Sequence, residues 1–549
     1  MAEEKFLELT ERSGVDVTAN RAQVKVIRRL ESELDGVRGK RTLLGWLTAL
    51  LFIAVAIVAV FLYLNWAQLD AQPRFGGVAG GVLALALGVW TSVLFGRTGE
   101  RIRELEGKIA AAKEVAWRQM EPLNGIYTWD ITTRLIEATV PRLQFDPFFT
   151  AKRLRDLKRL YGWSDEFNEG KSVVFAQTGV INGNPFVFGE YRDQNWKLKT
   201  YTGRLEISWW ETERDAEGRP RRVRRTQTLT GSVEKPVPVY SNRKLLIYGN
   251  DAAPNLSFSR EPSGLDDRDV FDGVREKWRL HKLKKYSQNL DDESDFTLMA
   301  NHRFEAWFHA QDRDDEVEFR LLFTALAQTQ LMALMEDRKV GYGDDFAFVK
   351  NCRINLLRSK HLDSAPIDTA PERFRDWDYD RAFKNFRTFN EKYFKDVYFA
   401  LAPLLAIPLY QQTRTHEEIW KDVLDGDGAN FWEHEAIANY YGDERFRHPD
   451  CITDSILKTR VVRRADGVSD VAVTAYGYRG ESRVDYVEVW GGDGNCHEVP
   501  VEWTEYLPVD RTSQMTLSES AAPRGAFAAD FDRSPAALFR RSIRSFLGS

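Results

Sequence analysis

Cysteine is scarce in this chain of 549 residues, which contains only three. Three thiols cannot build the disulfide framework of a small secreted domain, so the composition favours a reducing compartment. Glycine and proline, at 37 and 19 residues, are not enriched, which excludes a collagen-like or low-complexity chain. The net charge of −5 argues against nucleic-acid binding through bulk positive charge.

Charge is missing altogether from two long stretches, although the mean hydropathy of the whole chain is −0.44. Residues 42–65 and 75–96 contain no Asp, Glu, Lys or Arg, and only the short loop 66–74 separates them. About 20 apolar residues are enough for a helix to cross a bilayer. The sequence therefore predicts a transmembrane helical hairpin. A cleaved signal peptide fits less well, because some 40 polar residues precede the first stretch.

Lysine and arginine flank this hairpin on one side only. Seven lie before the first stretch and five follow the second: Arg21, Lys25, Arg28, Arg29, Arg38, Lys40 and Arg41, then Arg97, Arg101, Arg103, Lys108 and Lys113. The loop carries only Arg74. The positive-inside rule places both termini in the cytosol and the protein in the inner (cytoplasmic) membrane. Apart from Tyr63 the stretches contain no ionisable side chain, which argues against a channel or pump.

Small residues open the second stretch, at Gly76, Gly77, Ala79, Gly80 and Gly81. Such a pattern lets two helix backbones approach closely. Packing within the hairpin and a homo-oligomer contact are both compatible with it. Outside the hairpin, apolar residues recur every three or four positions in 27–37 and 102–116, which predicts a short antiparallel coiled stalk.

The rest of the chain predicts an α+β cytosolic region. Alternating apolar residues on either side of Asn182-Gly183-Asn184 and of residues 215–218 indicate two β-hairpins. A four-stranded β-meander is expected near the C-terminus, with turns at 465–467, Arg479-Gly480 and 491–495. The pattern predicts a strand over 296–309 and a single helix over 316–337. The predicted divisions are a cytosolic helix 1–41, the spans 42–65 and 75–96 with the loop 66–74 between them, a helical stalk 97–140, an α+β domain 141–365, an aromatic helical segment 366–450, a β-meander 451–510 and a tail 511–549.

Two basic amphipathic segments raise the question of lipid contact. Residues 142–163 combine a leucine face with five cations, which is typical either of a solvated helix or of a helix on anionic lipid. The tail from residue 511 is expected to be mostly disordered until a helix over 534–547. That helix carries an apolar stripe and three arginines, so we expect it to fold either on an anionic bilayer or on the protein's own cytosolic domain.

One group of motifs resembles a known family. The motifs are Phe304-Glu305-x-x-Phe308, the acids Asp315-x-x-Glu318, and Phe319-Arg320-Leu321-Leu322-Phe323-Thr324 followed by Ile354-Asn355. Together with the hairpin and the passage from Gly183 to Gly189-Glu190, they resemble an uncharacterised bacterial membrane-protein family that is described only as a domain of unknown function. The resemblance covers roughly residues 40 to 360 and implies architecture, not an activity.

No catalytic, cofactor-binding or metal-binding residue is assigned from the sequence, and no cofactor is expected. Gly170-Lys171-Ser172 lacks the earlier glycine of a phosphate loop. His448, Cys451, Cys496 and His497 are zinc-type ligands only if the fold brings them together. The acidic turn of Asp312, Asp314, Asp315 and Glu316 fits favourable contact with a helix N-terminus, or else a metal or cationic ligand.

We therefore expect a membrane-anchored, non-enzymatic interaction or sensing module. Its expected partners are the lipid bilayer, proteins of unknown identity and, as an alternative to packing within the hairpin, a second copy of itself, but not nucleic acid. Two alternatives stay open: a membrane-tethered enzyme acting on lipid or envelope substrates, and an accessory subunit of a transporter.

Overall fold

The computed structural model describes residues 1–65, 71–140, 142–214, 219–265, 277–283, 285, 297–412, 428–465, 467–519, 537–540 and 543–547. It combines helices with antiparallel sheets and divides into two units. Unit 1 comprises Met1–Tyr127 and Pro371–Asn390, and unit 2 comprises Thr128–Ala370 and Glu391–Ser549.

The α-helices are numbered in chain order: α1 Ala2–Ser13, α2 Val17–Asn65, α3 Ala71–Asn124, α4 Ile131–Thr139, α5 Ala151–Tyr161, α6 His302–Phe308, α7 Glu316–Leu322, α8 Ala325–Glu336, α9 Lys360–Ser364, α10 Tyr379–Leu405 and α11 Phe431–Tyr441. The strands are β1 Leu143–Phe145, β2 Lys171–Ile181, β3 Asn184–Arg214, β4 Pro220–Gly249, β5 Ser257–Arg260, β6 Phe346–Asn351, β7 Ile354–Ser359, β8 Ile456–Ala465, β9 Val468–Trp490, β10 Cys496–Glu519, β11 Ala537–Arg540 and β12 Ile543–Leu547.

In unit 1, α2 and α3 pack against each other in antiparallel directions. Near their polar ends a cluster of Leu34, Ile102, Leu105 and Ile109 is buried, with Leu30 and Val37 against it. Further along, Thr48 Oγ1 donates a hydrogen bond of 3.0 Å to Thr91 Oγ1. A Cβ atom added at Gly77 would lie 3.0 Å from Leu62 Cδ2. The seam predicted from the apolar spacing is therefore the seam along which these helices meet.

Both helices are long and apolar enough to cross a membrane, over Val17–Leu64 and Gly77–Asn124. The hydrophobic windows lie almost entirely at the surface of the protein. Large apolar side chains such as Leu43, Trp46, Leu50 and Trp90 are exposed there. An apolar surface of this extent is unusual on a protein dissolved in water.

The remaining part of unit 1 packs around α1. Phe6 is buried and contacts the rings of Tyr379, Phe383 and Phe386. Asn20 ties the start of α2 to the same segment, because its side chain donates to Trp377 O at 2.9 Å and accepts from Tyr379 N at 3.0 Å. These contacts join residues that are more than 350 positions apart in sequence.

Unit 2 contains two antiparallel sheets. The seven-stranded sheet has the order β1-β2-β3-β4-β7-β6-β5, and the five-stranded sheet has the order β11-β12-β10-β9-β8. Helix α11 contributes to the hydrophobic cores of both sheets, and its seven consecutive residues from Trp432 to Ala438 are buried. Trp432 and Ala436 belong to the core on β2, whereas Ile437 and Ala438 belong to the core on β8 to β10.

Two hairpins extend well beyond these sheets. Residues 194–214 of β3 pair only with β4 over 220–240, since the pairing of β3 with β2 ends at Asp193. Residues 477–490 of β9 likewise pair only with β10 over 496–509. We call these two-stranded extensions the first and the second ribbon.

The structure corrects several expectations. The predicted amphipathic helix over 534–547 is absent from the described residues of that segment, which form β11 and β12. The expected disorder from residue 511 is also wrong as far as Glu519, because β10 continues to that residue. Strand β12 pairs with the end of β10 and buries Ile543, so tertiary pairing outweighs the local helical spacing.

Three further predictions fail locally. The segment predicted as a strand over 296–309 contains helix α6. The single helix expected over 316–337 is interrupted, and Thr324 caps the start of α8. The turn predicted at Arg479-Gly480 lies inside β9, so three strands rather than four follow one another before β11.

Candidate functional site

The first ribbon has one packed face and one solvent face. Along β3 the residues 201, 203, 205, 207 and 209 are partly covered, and the residues between them are exposed. Alternation with a period of two is what a half-covered strand requires, because successive side chains point to opposite faces. The covered face consists of apolar residues such as Leu205, Ile207 and Leu229, whereas the outward face is rich in Thr, Ser and charged residues.

The second ribbon supplies the cover, and the two ribbons come closest at a pair of glycines. A Cβ atom added at Gly203 would lie 1.9 Å from Pro500 O, and one added at Gly231 would lie 2.9 Å from Val487 Cβ. Both positions exclude any side chain unless the ribbons separate. Val499 and Val501 are fully buried in this contact.

Polar contacts fix the two ribbons in register. Lys235 Nζ lies 2.6 Å from Asp485 Oδ2, and Trp503 Nε1 donates to Asp485 Oδ1 at 2.9 Å. These two partners, the Lys235 hydrogen bond first, lower the pKa of the Asp485 carboxyl. At the far end Gly492 N donates to Gln227 Oε1 at 2.7 Å. The ribbons therefore form a defined pair rather than two free arms.

The outward face of the second ribbon is apolar and acidic. We call it the acidic aromatic face; its residues are Val484, Tyr486, Glu488 and Trp490 on β9 and Cys496, Glu498, Pro500 and Glu502 on β10. Trp490 is 73% exposed and Tyr486 is 65% exposed. Glu488 lies directly opposite Glu498 in the ladder. Among the described residues none of the three glutamates forms an ion pair.

The outward face of the first ribbon ends in a basic tip, beyond the point where the second ribbon turns. The basic tip consists of Trp210, Thr212 and Arg214 on β3 and Pro220, Arg222 and Arg224 on β4. Among the described residues of the tip no acidic side chain shares the face of its arginines, since Glu211 and Glu213 belong to the opposite face and pair with Arg225. Trp210 is 66% exposed.

A Ser-His-Asp arrangement lies elsewhere in unit 2. Ser359 Oγ is 3.3 Å from His361 Nε2, and His361 Nδ1 is 2.7 Å from Asp345 Oδ2. However, Ser359 is buried and its hydroxyl caps α9 by accepting from Leu362 N. The neighbouring N–H groups of Lys360 and His361 are bound to Asp345. This local geometry holds the start of α9 and leaves those N–H groups unable to stabilise an oxyanion.

Helix α11 carries a buried acid and a buried imidazole. Glu435 Oε2 accepts from Val173 N at 2.9 Å, and Lys458 Nζ lies 2.8 Å from Oε1. Burial raises the pKa of Glu435 to about 7, although Lys458 opposes the shift. Burial also lowers the pKa of the adjacent His434 to about 4. Neither ring nitrogen of His434 has a hydrogen-bond partner among the described residues. Glu435 joins β2 to β8 through Lys458, which is a structural role.

The residues considered as zinc ligands are not brought together. Cys451 lies under Gly477, whereas Cys496 pairs with Trp490 thirteen residues further along β9. At about 3.4 Å per residue this separates the two thiols by roughly 40 Å. No group of three or more His, Cys, Asp or Glu side chains suitable for a metal occurs in the described part of the chain.

The acidic turn has structural partners. Asp315 caps α7 through Glu318 N, as favourable contact with a helix N-terminus predicts. Asp312 and Asp314 instead accept from Ser259 N and Ser257 N, which belong to the edge strand β5. The resemblance motif contributes to the same core, because Glu305 pairs at 2.9 Å with the fully buried Arg313.

The basic helix of residues 142–163 corresponds to α5, and several of its cations form ion pairs. Arg153 binds Asp146 through two bonds of 3.0 Å, Lys152 pairs with Asp156, and Lys158 pairs with Asp165. The five cations outnumber the three acids of these pairs, so the helix keeps some positive charge, and its contact with anionic lipid stays a prediction.

Comparisons with protein-family models, with curated proteins and with solved structures give no match. The resemblance of residues 40 to 360 to an uncharacterised membrane-protein family therefore remains an expectation.

Sequence reasoning overlooked the surface of the second ribbon. The signal was present in the alternation of residues 484–490, where exposed aromatic and acidic residues occupy every second position. Which of the two faces is covered depends on the first ribbon, about 250 residues earlier in the chain, and no local pattern encodes that contact.

Proposed function

We propose that this chain is a membrane-anchored interaction module, in which a transmembrane hairpin holds a rigid pair of β-ribbons that binds a protein partner. The observation that carries the proposal is the acidic aromatic face. Its Tyr486 and Trp490 side chains are exposed on a ribbon that is immobilised from behind by Gly203, Gly231 and Lys235. Exposed aromatic residues on a rigid surface are typical of binding sites, because they bury large area at small entropic cost.

The membrane anchor is the hairpin formed by residues 42–65 and 75–96. Three features support it: the exposed apolar surface of α2 and α3, the absence of charge within both segments, and the concentration of Lys and Arg at one end. The helices continue beyond the membrane as a short coiled stalk around Leu34 and Leu105. Both ends of the hairpin, and with them unit 2, face the cytosol of the inner membrane.

Site-specific photo-cross-linking in living cells tests the interaction surface. A photoreactive amino acid replaces Tyr486 on the acidic aromatic face or, as the control, Thr228 on the outward face of the first ribbon. We expect discrete adducts from position 486 and none from position 228. The same adducts from both positions, or none from position 486, would contradict the proposed surface.

Reporter fusions test the topology. Reporters placed after Gly96 and at Ser549 should show only cytosolic activity. Activity on the outer side of the membrane at either site would overturn the orientation, but it would leave the interaction surface to be judged by the cross-links.

A further inference from the structure

The acidic aromatic face carries an uncompensated electrostatic cost. Glu488 and Glu498 are directly opposite in the β9–β10 ladder, and like charges in this position repel. Glu502 extends the negative charge along the same face, opposite Val484. Glu502 and the pair of Glu488 and Glu498 are four residue steps apart along the ribbon, so the three carboxylates span about 14 Å. A partner that brings cations at this spacing would relieve the repulsion and cover Tyr486 and Trp490.

The same chain presents such a surface on its basic tip. Arg214, Arg222 and Arg224 lie on one exposed face, and the ladder places Arg214 opposite Pro220 and Arg224 opposite Trp210. The distance from the Arg214 pair to the Arg224 pair is again four residues, or about 14 Å. Arg222 and Arg214 have no acidic partner among the described residues.

We infer that the acidic aromatic face of one copy binds the basic tip of a second copy of this chain. The inference rests on the proposed function and names the partner of that surface. Three arginines meet three glutamates across two exposed ribbon faces of equal length, and Trp210 joins Tyr486 and Trp490 in the apolar part of the contact. Arg–carboxylate pairs are well suited to such a contact because guanidinium groups bind carboxylates in a planar geometry.

Within one chain the two surfaces do not meet. The basic tip faces away from the second ribbon, and the acidic aromatic face points away from the first, since each ribbon uses its other face for the contact at Gly203. Contact therefore requires a second copy. Anchoring both copies in one membrane confines them to a plane and raises their effective concentration.

Disulfide trapping in native membranes tests this inference on the full chain. One tagged copy retains Cys496, which is exposed on the acidic aromatic face, while Cys352 and Cys451 are changed to Ser. A second copy with a different tag has all three cysteines changed to Ser and carries Thr212→Cys in the basic tip. The matched control carries Thr228→Cys, on the same ribbon face but outside the tip. We expect an oxidant to join the Thr212→Cys copy to the Cys496 copy at a yield at least about fivefold above the control.

Charge reversal then tests the chemistry of the contact. Glu488→Arg with Glu498→Arg should lower the trapped yield about fivefold or more, and Arg222→Glu with Arg224→Glu in the other copy should restore it to within about twofold. Glu206→Arg, on the outward face of the first ribbon, should leave the yield unchanged. All these positions are exposed, and the thermal midpoint of each variant verifies that it folds.

Two results would overturn the inference: equal trapping at positions 212 and 228, or no rescue by the reciprocal reversal. If trapping fails while position 486 still yields photo-adducts with a different protein, the proposed function stands and its partner is not a second copy. If position 486 yields no adduct of any kind, the proposed function fails as well.

Discussion

Gly203 lies directly opposite Gly231 in the β3–β4 ladder, and Pro500 and Val487 of the second ribbon occupy the space where their side chains would be. Glycine inside a strand normally weakens it, because the residue has no side chain to pack and loses more entropy on folding. Here the pair allows two ribbons to approach until the backbone of one touches the other. The acidic aromatic face depends on this approach, since it keeps the second ribbon flat against the first.

Changing Gly203 to Val should separate the ribbons. The added Cβ would lie 1.9 Å from Pro500 O, and because that atom is backbone, only movement of a whole ribbon can relieve the clash. We expect a loss of about 1–3 kcal/mol in unfolding free energy. Thermal melting of the full chain in detergent measures the effect, with the exposed neighbour Thr202→Val as the control. A Gly203→Val variant as stable as Thr202→Val would contradict the close approach.

Removing the buried acid in α11 should change how stability depends on pH. The pKa of Glu435 is about 7 in the folded state, above the value of 4.5 for a free glutamate. The contribution of Glu435 to stability should therefore fall as the pH rises from 4.5 to 7, by about 2–3 kcal/mol relative to a variant that does not titrate. Glu435→Gln keeps an acceptor for Val173 N but does not titrate. Denaturation of both proteins at pH 5 and pH 8 should show the variant gaining relative to the wild type at pH 8.

His434 should produce the opposite slope. Its folded pKa of about 4 lies below the free value of 6.5, so its contribution to stability is present above pH 6.5 and is lost as the pH falls toward 4. Relative to His434→Phe, the wild type should lose about 2 kcal/mol between pH 7 and pH 5. The two variants control for each other, because their stability differences from the wild type should change with pH in opposite directions. Changes in the same direction would contradict the pKa shift assigned to Glu435 or to His434.

The glycines at the start of the second apolar helix should differ in their tolerance of substitution. A side chain at Gly77 meets Leu62 at 3.0 Å, whereas nothing lies within 4 Å of a Cβ at Gly80. Gly77→Leu should lower the thermal midpoint in detergent, and Gly80→Leu should leave the fold of the single chain intact. Equal melting of both variants would show that the small residues do not mediate packing within the hairpin.

Arg313 should prove essential for folding rather than for binding. Its guanidinium is fully buried and contacts Glu305 and Glu316 at 2.9 and 2.6 Å. Arg313→Met leaves Glu305 without its cation and Glu316 with only the more distant Arg320, which should cost about 3–5 kcal/mol. Arg320→Met, at a half-exposed position on the same segment, should cost far less. If the two variants denature alike, the buried network does not have this role.

Local patterns predicted much of the fold where one face of an element is buried. The turn at Asn182-Gly183 joins β2 to β3 as its composition indicates, and the apolar spacing around Leu34 and Leu105 marks the seam between α2 and α3. The alternation of apolar and polar residues is lost where both faces of a strand are exposed to the same environment. Residues 192–199 of β3 are polar or exposed on both faces, so the alternation disappears and one strand of 31 residues reads as two.

Tertiary contact decided the remaining elements. The arginines and apolar residues near the C-terminus have helical spacing, but pairing with β10 and burial of Ile543 select a strand. The candidate site could not be predicted from the sequence either. The contact between Gly203 and Pro500 decides which face of the second ribbon is covered, and these residues are far apart in the chain. Only the exposed alternation of Tyr486, Glu488 and Trp490 could have pointed to it.

The contact between Gly203 and Pro500 can form only late in the synthesis of the chain. About 300 residues separate the two positions, which a ribosome adding 5–20 residues per second needs roughly 15–60 s to produce. During that time the apolar inner side of the first ribbon, with Leu205, Ile207 and Leu229, has no cover. An uncovered apolar strand face favours aggregation, so the incomplete chain is exposed to this hazard until β9 and β10 have been made.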